Sequence, residues 1–234
     1  MNTERRTQFG VVLVVALLIA AVVVRPTVVP SQWQLPFSLG LAIVLALLAW
    51  RTGMTLDEVG LAPQHMPNGL RWGSATITVI AVCVGLLAAL PATRGFFDDD
   101  RVNIGVAALL IKVLIVIPLG TVIVEEFAFR GVILGLLRRT LPVSRAVLLS
   151  SLLFGLWHVV TAWNTSSQNA ALDQATGSTV GRVMAVVATV FATTIAGLVF
   201  SWLRVRSGSL LAPIGAHIAT NSITFTAAWI LQRN

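Results

Sequence analysis

Charge is what this chain has least of. Only 11% of its 234 residues are charged and nine are acidic, against 56% hydrophobic residues and a mean hydropathy of +0.89. That balance excludes an ordinary soluble domain and leaves an integral membrane protein. A single cysteine, Cys83, excludes an internal disulfide and a cysteine-based zinc motif, and it reads as a small buried hydrophobe. The net charge of +7 does not mark a nucleic-acid surface, because the basic residues stand at the ends of apolar segments and form no phosphate-tracking stripe. No internal repeat, low-complexity tract or Pro/Gly/Ser linker divides residues 1–234, so the chain reads as one integral membrane domain.

What is present is a series of apolar runs, at about 9–24, 35–50, 70–90, 113–137, 145–163, 182–203 and 209–231. A span needs roughly 20 apolar residues at a rise of about 1.5 Å each. The fold class is therefore all-α: a polytopic membrane helix bundle of about seven transmembrane helices, or eight if a further or re-entrant piece lies near 101–112. The start, MNTERR before an apolar run, imitates a signal peptide. It has no small-x-small cleavage site before the Arg25–Pro26 turn and is read as an uncleaved anchor. Residues 51–69 mix charge, Gly and Pro and predict an interfacial turn or short helix, while 164–181 is polar and predicts an outer loop.

Basic residues set the expected orientation. With the amino terminus cytoplasmic, Arg5, Arg6, Arg51, Arg71, Arg138, Arg139, Arg145, Arg204 and Arg206 lie inside, and Arg25, Arg94, Arg101, Lys112, Arg182 and Arg233 outside. Nine against six favours that orientation.

The few polar groups are unevenly placed. Seven acids (Glu4, Asp57, Glu58, Asp98, Asp99, Asp100 and Asp173) fall outside the predicted hydrocarbon, whereas Glu125 and Glu126 sit inside VLIVIPLGTVIVEEFAFRGVILGLL. An acid near the centre of a spanning helix costs roughly 2.5–3.5 kcal/mol on insertion scales and usually faces a polar cavity or a partner. By helix rise, Glu125 lies about 20 Å from both Lys112 and Arg138, near mid-membrane.

Successive helical side chains diverge by about 100°, so the two carboxylates are not expected to serve the same point, while Glu126 and Arg130 at i, i+4 share a face. This predicts a supporting Glu126–Arg130 ion pair and leaves Glu125 for chemistry as a general base. The alternative is an ion-paired packing device. In SLLFGLWHVV, Phe154 and His158 are also i, i+4, so the ring can wall the imidazole and fix its rotamer; a histidine there can equally be a satisfied core group. In GAHIATNS, His217 and Asn221 share a face and can both donate hydrogen bonds into a cavity, or act as interhelical glue.

In order along the chain these residues read EExxxR (Glu125, Glu126, Arg130), FxxxH (Phe154, His158) and HxxxN (His217, Asn221). With all positions present, the chain resembles the CPBP (Abi) family of intramembrane glutamic endopeptidases. That family includes type II CAAX prenyl proteases and bacteriocin-processing or bacteriocin-immunity proteins. The resemblance covers about residues 105–230, which would form the catalytic core, and the phrase RSGSLLAPIGAHIATN also looks like the family's approach to its last motif.

The resemblance implies that Glu125 and His158 activate a water, that His217 and Asn221 form the oxyanion hole, and that no cofactor is needed. The implied partners are the lipid bilayer and a membrane-associated protein or peptide, cut in CAAX-like or leader-peptide processing. Removing one oxyanion donor should cost on the order of 100-fold or more in rate. Zinc held by His158, His217 and Glu125 is the rival mechanism, although no local HExxH is present. A non-catalytic immunity or peptide-binding protein, or a proton-coupled transporter, is the rival function, since intramembrane Glu and His also suit proton relays. The Ala-, Val- and Arg-rich composition points to a bacterial plasma membrane. Nothing in the chain shows that the host makes a prenylated substrate.

Overall fold

A computed structural model describes residues 3–165 and 179–233, which are almost wholly helical and contain no strand. Most of the polar 164–181 stretch, with Asp173, lies outside the described residues. The helices are α1 (Thr3–Val28), α2 (Gln34–Arg51), the short α3 (Leu56–Val59), α4 (Met66–Ala89), α5 (Val106–Leu137), α6 (Val143–Thr165), α7 (Thr179–Ser207) and α8 (211–231). Among the described residues α1, α2, α4, α5, α6 and α7 are long and apolar enough to cross a membrane. The predicted polytopic helix bundle is the observed fold.

The differences are local. The seventh predicted span is a helix, α8, made of Leu211–Ile218, a π-helical turn Ala219–Ile223 and Thr224–Leu231. His217, Asn221 and a run of Ser and Thr lower its apolar character, so six spans rather than seven stand out by composition. The extra piece considered near 101–112 is a short turn, Asp100–Val102, followed by the start of α5 at Val106. The Arg25–Pro26 pair does not end α1, which continues to Val28 with Pro26 inside it. Spanning helices tolerate proline because neighbouring groups and local adjustment satisfy the freed carbonyl. Cys83 is exposed on α4. In a bundle whose outer surface faces acyl chains, a small apolar residue has no reason to turn inward.

Lipid supplies little drive for helix association, so close backbone approach and buried polar contacts hold the bundle together. Helices α6 and α7 meet at Gly155, where a Cβ would lie 2.0 Å from Thr194 Oγ1 and 2.8 Å from the Val190 carbonyl. One turn away, Ser151 and Ser201 share a hydrogen bond of 3.3 Å. The core between α1, α2, α5, α6 and α7 contains Val14, Leu45, Phe129, Ile133, Leu136 and Leu203, each fully or almost fully buried.

The connection between α2 and α4 contains the expected short helix, and polar contacts fix it. Thr55 caps α3 in a capping box with Glu58, and Gly60 ends it at φ +81°. A side chain on Gly60 would collide with the Arg204 guanidinium, which donates to the carbonyls of Asp57 and Glu58 at 2.8 and 3.0 Å. Arg139, just beyond α5, donates to Glu58 through Nε and Nη2 at 2.6 and 2.9 Å and to the carbonyls of Thr52 and Gly53.

Hydrogen bonds from Arg139 hold the Glu58 carboxyl at about 2, below its ordinary 4.5, against the opposing effect of burial. A depressed carboxylate pKa contributes stability that is present above about 4.5 and is lost as pH falls from there through about 2. Glu58→Gln is expected to lower stability at pH 7 and to flatten the acid limb of the unfolding curve in that window, so that the two proteins converge near pH 2. Thermal melting of both proteins in detergent between pH 5 and 2 checks this; parallel acid limbs would contradict it.

Candidate active site

The three sequence clusters come from α5, α6 and α8 and meet on one cavity of about 890 Å³, lined by Glu125, Phe154, His158, His217 and Asn221. Two of the three helices are irregular here. Glu125 and Glu126 occupy an α-helical turn, Ile123–Glu126, between π-helical stretches at Pro118–Val122 and Phe127–Ile133, and Asn221 lies in the π-helical turn of α8. Such insertions rotate side chains out of the regular 100° series and are frequent at functional sites.

Glu125 is buried, and its two oxygens have different surroundings. Oε1 accepts a hydrogen bond from the indole N–H of Trp157 at 3.0 Å. Oε2 has no hydrogen-bond partner and lies 4.0 Å from Nε2 of His158 and 4.0 Å from Nε2 of His217. That separation is too long for a direct hydrogen bond and is one that a bridging water spans.

Each imidazole is held by its other nitrogen. His158 donates from Nδ1 to the Phe154 carbonyl at 2.8 Å, one turn earlier on α6. His217 is buried and donates from Nδ1 to Glu126 Oε1 at 2.8 Å. Both rings therefore present Nε2 to the cavity, the tautomer and orientation being set by the far nitrogen.

Glu126 and Arg130 form the predicted i, i+4 ion pair at 2.9 Å, both fully buried. The expectation that the two glutamates serve separate points holds only in part. Through Glu126 Oε1 and Glu125 Oε2 they address opposite edges of the same ring, His217. Glu126 thus belongs to the histidine's setting as well as to the ion pair, a relation between helices that no spacing within α5 could reveal. Arg130 also donates to the Gly197 carbonyl at 3.2 Å and lies beneath the Phe154 ring, 4.1 Å from its centroid.

Phe154 packs edge-on against His158 at 4.7 Å and against His217 at 5.8 Å, so it walls both imidazoles and not only its i, i+4 neighbour. Two further residues escaped the sequence reading. Phe200 of α7 stacks on His217 at 5.0 Å, with nothing in its local sequence to announce it. Trp157 stands next to His158 in the chain, and its indole N–H, placed in an apolar run, was the one available signal.

Trp157 fixes which oxygen of Glu125 faces the histidines, which predicts a positioning role. Trp157→Phe keeps an aromatic ring against Phe129 but removes the donor. The expected result is a fall of about 10- to 100-fold in turnover, the range of a hydrogen bond to a charged group, with KM little changed. Equal losses in both parameters, or a large drop in melting temperature, would instead mark it as a packing residue.

A polytopic helix bundle that keeps carboxylate, imidazole and amide side chains on a cavity inside its apolar section has the construction of an intramembrane hydrolase. Residues 107–223 match the family model described as type II CAAX prenyl endopeptidase Rce1-like, and the chain belongs to that family. It is an integral membrane protein of the protease class, working on peptide within a membrane environment. The match takes in all three motifs and stops short of α1 to α4. Among curated proteins and among solved structures there is no significant match.

Proposed function

We infer that the protein is a glutamic-type intramembrane endopeptidase that cuts a membrane-associated protein or peptide, with Glu125 as the base. The observation that supports this most is the position of Glu125 Oε2, unpaired and equidistant at 4.0 Å from two imidazole Nε2 atoms. A water placed there donates one hydrogen to Glu125 and the other to His158 Nε2, which leaves an oxygen lone pair for the scissile carbonyl carbon. As the C–O bond forms, Glu125 takes the proton and negative charge moves to the carbonyl oxygen.

His217 and Asn221 are the donors for that oxygen. With its Nδ1–H engaged by Glu126, His217 donates from Nε2 only when the ring carries both protons. Collapse of the tetrahedral intermediate returns the proton from Glu125 to the leaving amine and breaks the C–N bond. No step calls for a metal ion.

With the amino terminus cytoplasmic, the cavity end that carries Arg25 and Arg101 faces out of the cell, and the cut falls in an extracytoplasmic or outer-leaflet segment. The test is a comparison of newly formed protein termini in host membranes that express wild type or Glu125→Gln at equal levels, with and without a chelator. Termini specific to the wild type, insensitive to chelation and located in extracytoplasmic segments, are the expected outcome. Identical profiles would reject the peptidase; loss on chelation would favour zinc; cytoplasmic cut sites would reverse the orientation.

A further inference from the structure

The cavity has a second polar end that the chemistry above leaves unused. Arg25 from α1, Arg101 from the turn before α5 and Lys112 from α5 all line it, together with Asp99. Asp99 spends its hydrogen bonds on Arg101, accepting from Nε at 2.8 Å and from Nη2 at 2.6 Å. Arg25 and Lys112 are half-buried and make no hydrogen bond or ion pair among the described residues. Lys112 lies within electrostatic range of Arg101 and Arg25, which repel it, and of Asp99, which attracts it.

Like charges held partly buried on one cavity raise the energy of the free protein, and an anion bound there offsets that cost. Basic residues near helix ends ordinarily snorkel to lipid headgroups. Arg25 and Lys112 instead border the cavity that holds Glu125, and Arg25 also lines the small crevice containing Glu125 and Trp157. Arg25 lies within electrostatic range of Glu125. The second polar end therefore shares a space with the proposed base.

We propose that Arg25 and Lys112 form a carboxylate-binding subsite for the peptide substrate and thereby set the distance between that carboxylate and the bond that is cut. The proposal rests on the peptidase reading for its occupant. Lys112 precedes Glu125 by 13 positions, at most about 20 Å along the helix. An extended peptide covers about 3.3 Å per residue, so the carboxylate lies within about six residues of the cut. Either a C-terminal carboxylate or an acidic side chain has the required chemistry.

Binding is best measured on the full chain carrying Glu125→Gln, in phosphatidylcholine nanodiscs at low salt. The probes are three palmitoylated fluorescent hexapeptides of one sequence: free C-terminal acid, C-terminal amide, and amide with one internal Glu. Carboxylate probes are expected to bind about 10- to 100-fold more tightly than the plain amide, the range for a charge-assisted pair. That preference should vanish in Arg25→Gln/Lys112→Gln and persist in Arg25→Lys/Lys112→Arg, which separates charge from folding. Tighter binding of the free acid than of the internal Glu assigns the subsite to a chain terminus, and the reverse order assigns it to an acidic side chain. Equal binding of acid and amide probes overturns the proposal. So does a preference that survives Arg25→Gln/Lys112→Gln, or a site at which phosphatidylglycerol displaces the probe and is itself lost from the double variant, which makes the two cations a lipid-headgroup site. Because binding is read on a protein without the base, this result is independent of whether the wild type cuts peptides.

Discussion

Glu125→Gln is expected to lower turnover on an identified substrate by roughly 100- to 10,000-fold, the contribution of a positioned general base, while leaving the protein folded. The substitution is close to isosteric, and the geometry dictates how the amide sits. Trp157 donates to Oε1 and therefore selects the amide oxygen for that position, which directs the new NH2 group toward the two histidines. The cavity keeps its shape and loses only its acceptor. The melting temperature should also stay equal or rise, because Oε2 has no hydrogen-bond partner among the described residues to lose. Loss of rate without loss of stability is a combination that a packing role does not produce. If Glu125→Gln cut at the wild-type rate, Glu125 would not be the base; if it melted far below the wild type, the acid would be a structural residue.

Arg130→Ala is expected to have the largest effect on stability, about 3–5 kcal/mol, because it leaves the carboxylate of Glu126 buried without its cation. Arg130 and Glu126 are both at 0% exposure, so water cannot replace the lost partner. The alanine also removes a guanidinium that fills the space under Phe154 and Phe200 and that holds the Gly197 carbonyl of α7. Removing both charges in Glu126→Gln/Arg130→Met should recover most of the stability, since a buried pair often contributes little net energy and its half-removal contributes the penalty. Activity should not recover in that double variant, because His217 has lost the carboxylate that engages its Nδ1–H. Thermal and detergent-induced unfolding of the two variants, with a cleavage assay on the second, separates these roles. Equal destabilisation by both variants would show that the charge balance is unimportant. Full activity in the double variant would remove Glu126 from the setting of His217.

These two outcomes test relations of different origin. The Glu126–Arg130 pair and the shared faces of Phe154 with His158 follow from helical geometry within one element, where i, i+4 neighbours meet whatever surrounds them. Helix bounds were legible for the same reason, to within a few residues at most ends. The exceptions were α1, which carries Pro26 inside it, and the amino-terminal turns of α5. The span count was less legible because it depends on composition: α8 has the length of a span, but the polar side chains that belong to the site dilute its apolar character.

By itself, the sequence determined that this protein is a helical membrane bundle, because an apolar chain in lipid must satisfy its own backbone. It also determined which polar groups were too costly to lie there without a use. Only the tertiary structure decided that Glu126 meets His217, that Trp157 selects the oxygen of Glu125, and that Arg25 and Lys112 share the cavity. Those contacts join residues 32 and 91 positions apart, or side chains from helices far apart in the chain. They are set by how small residues and π-helical turns let the helices approach and rotate. No periodicity within a single helix encodes which neighbour it will face.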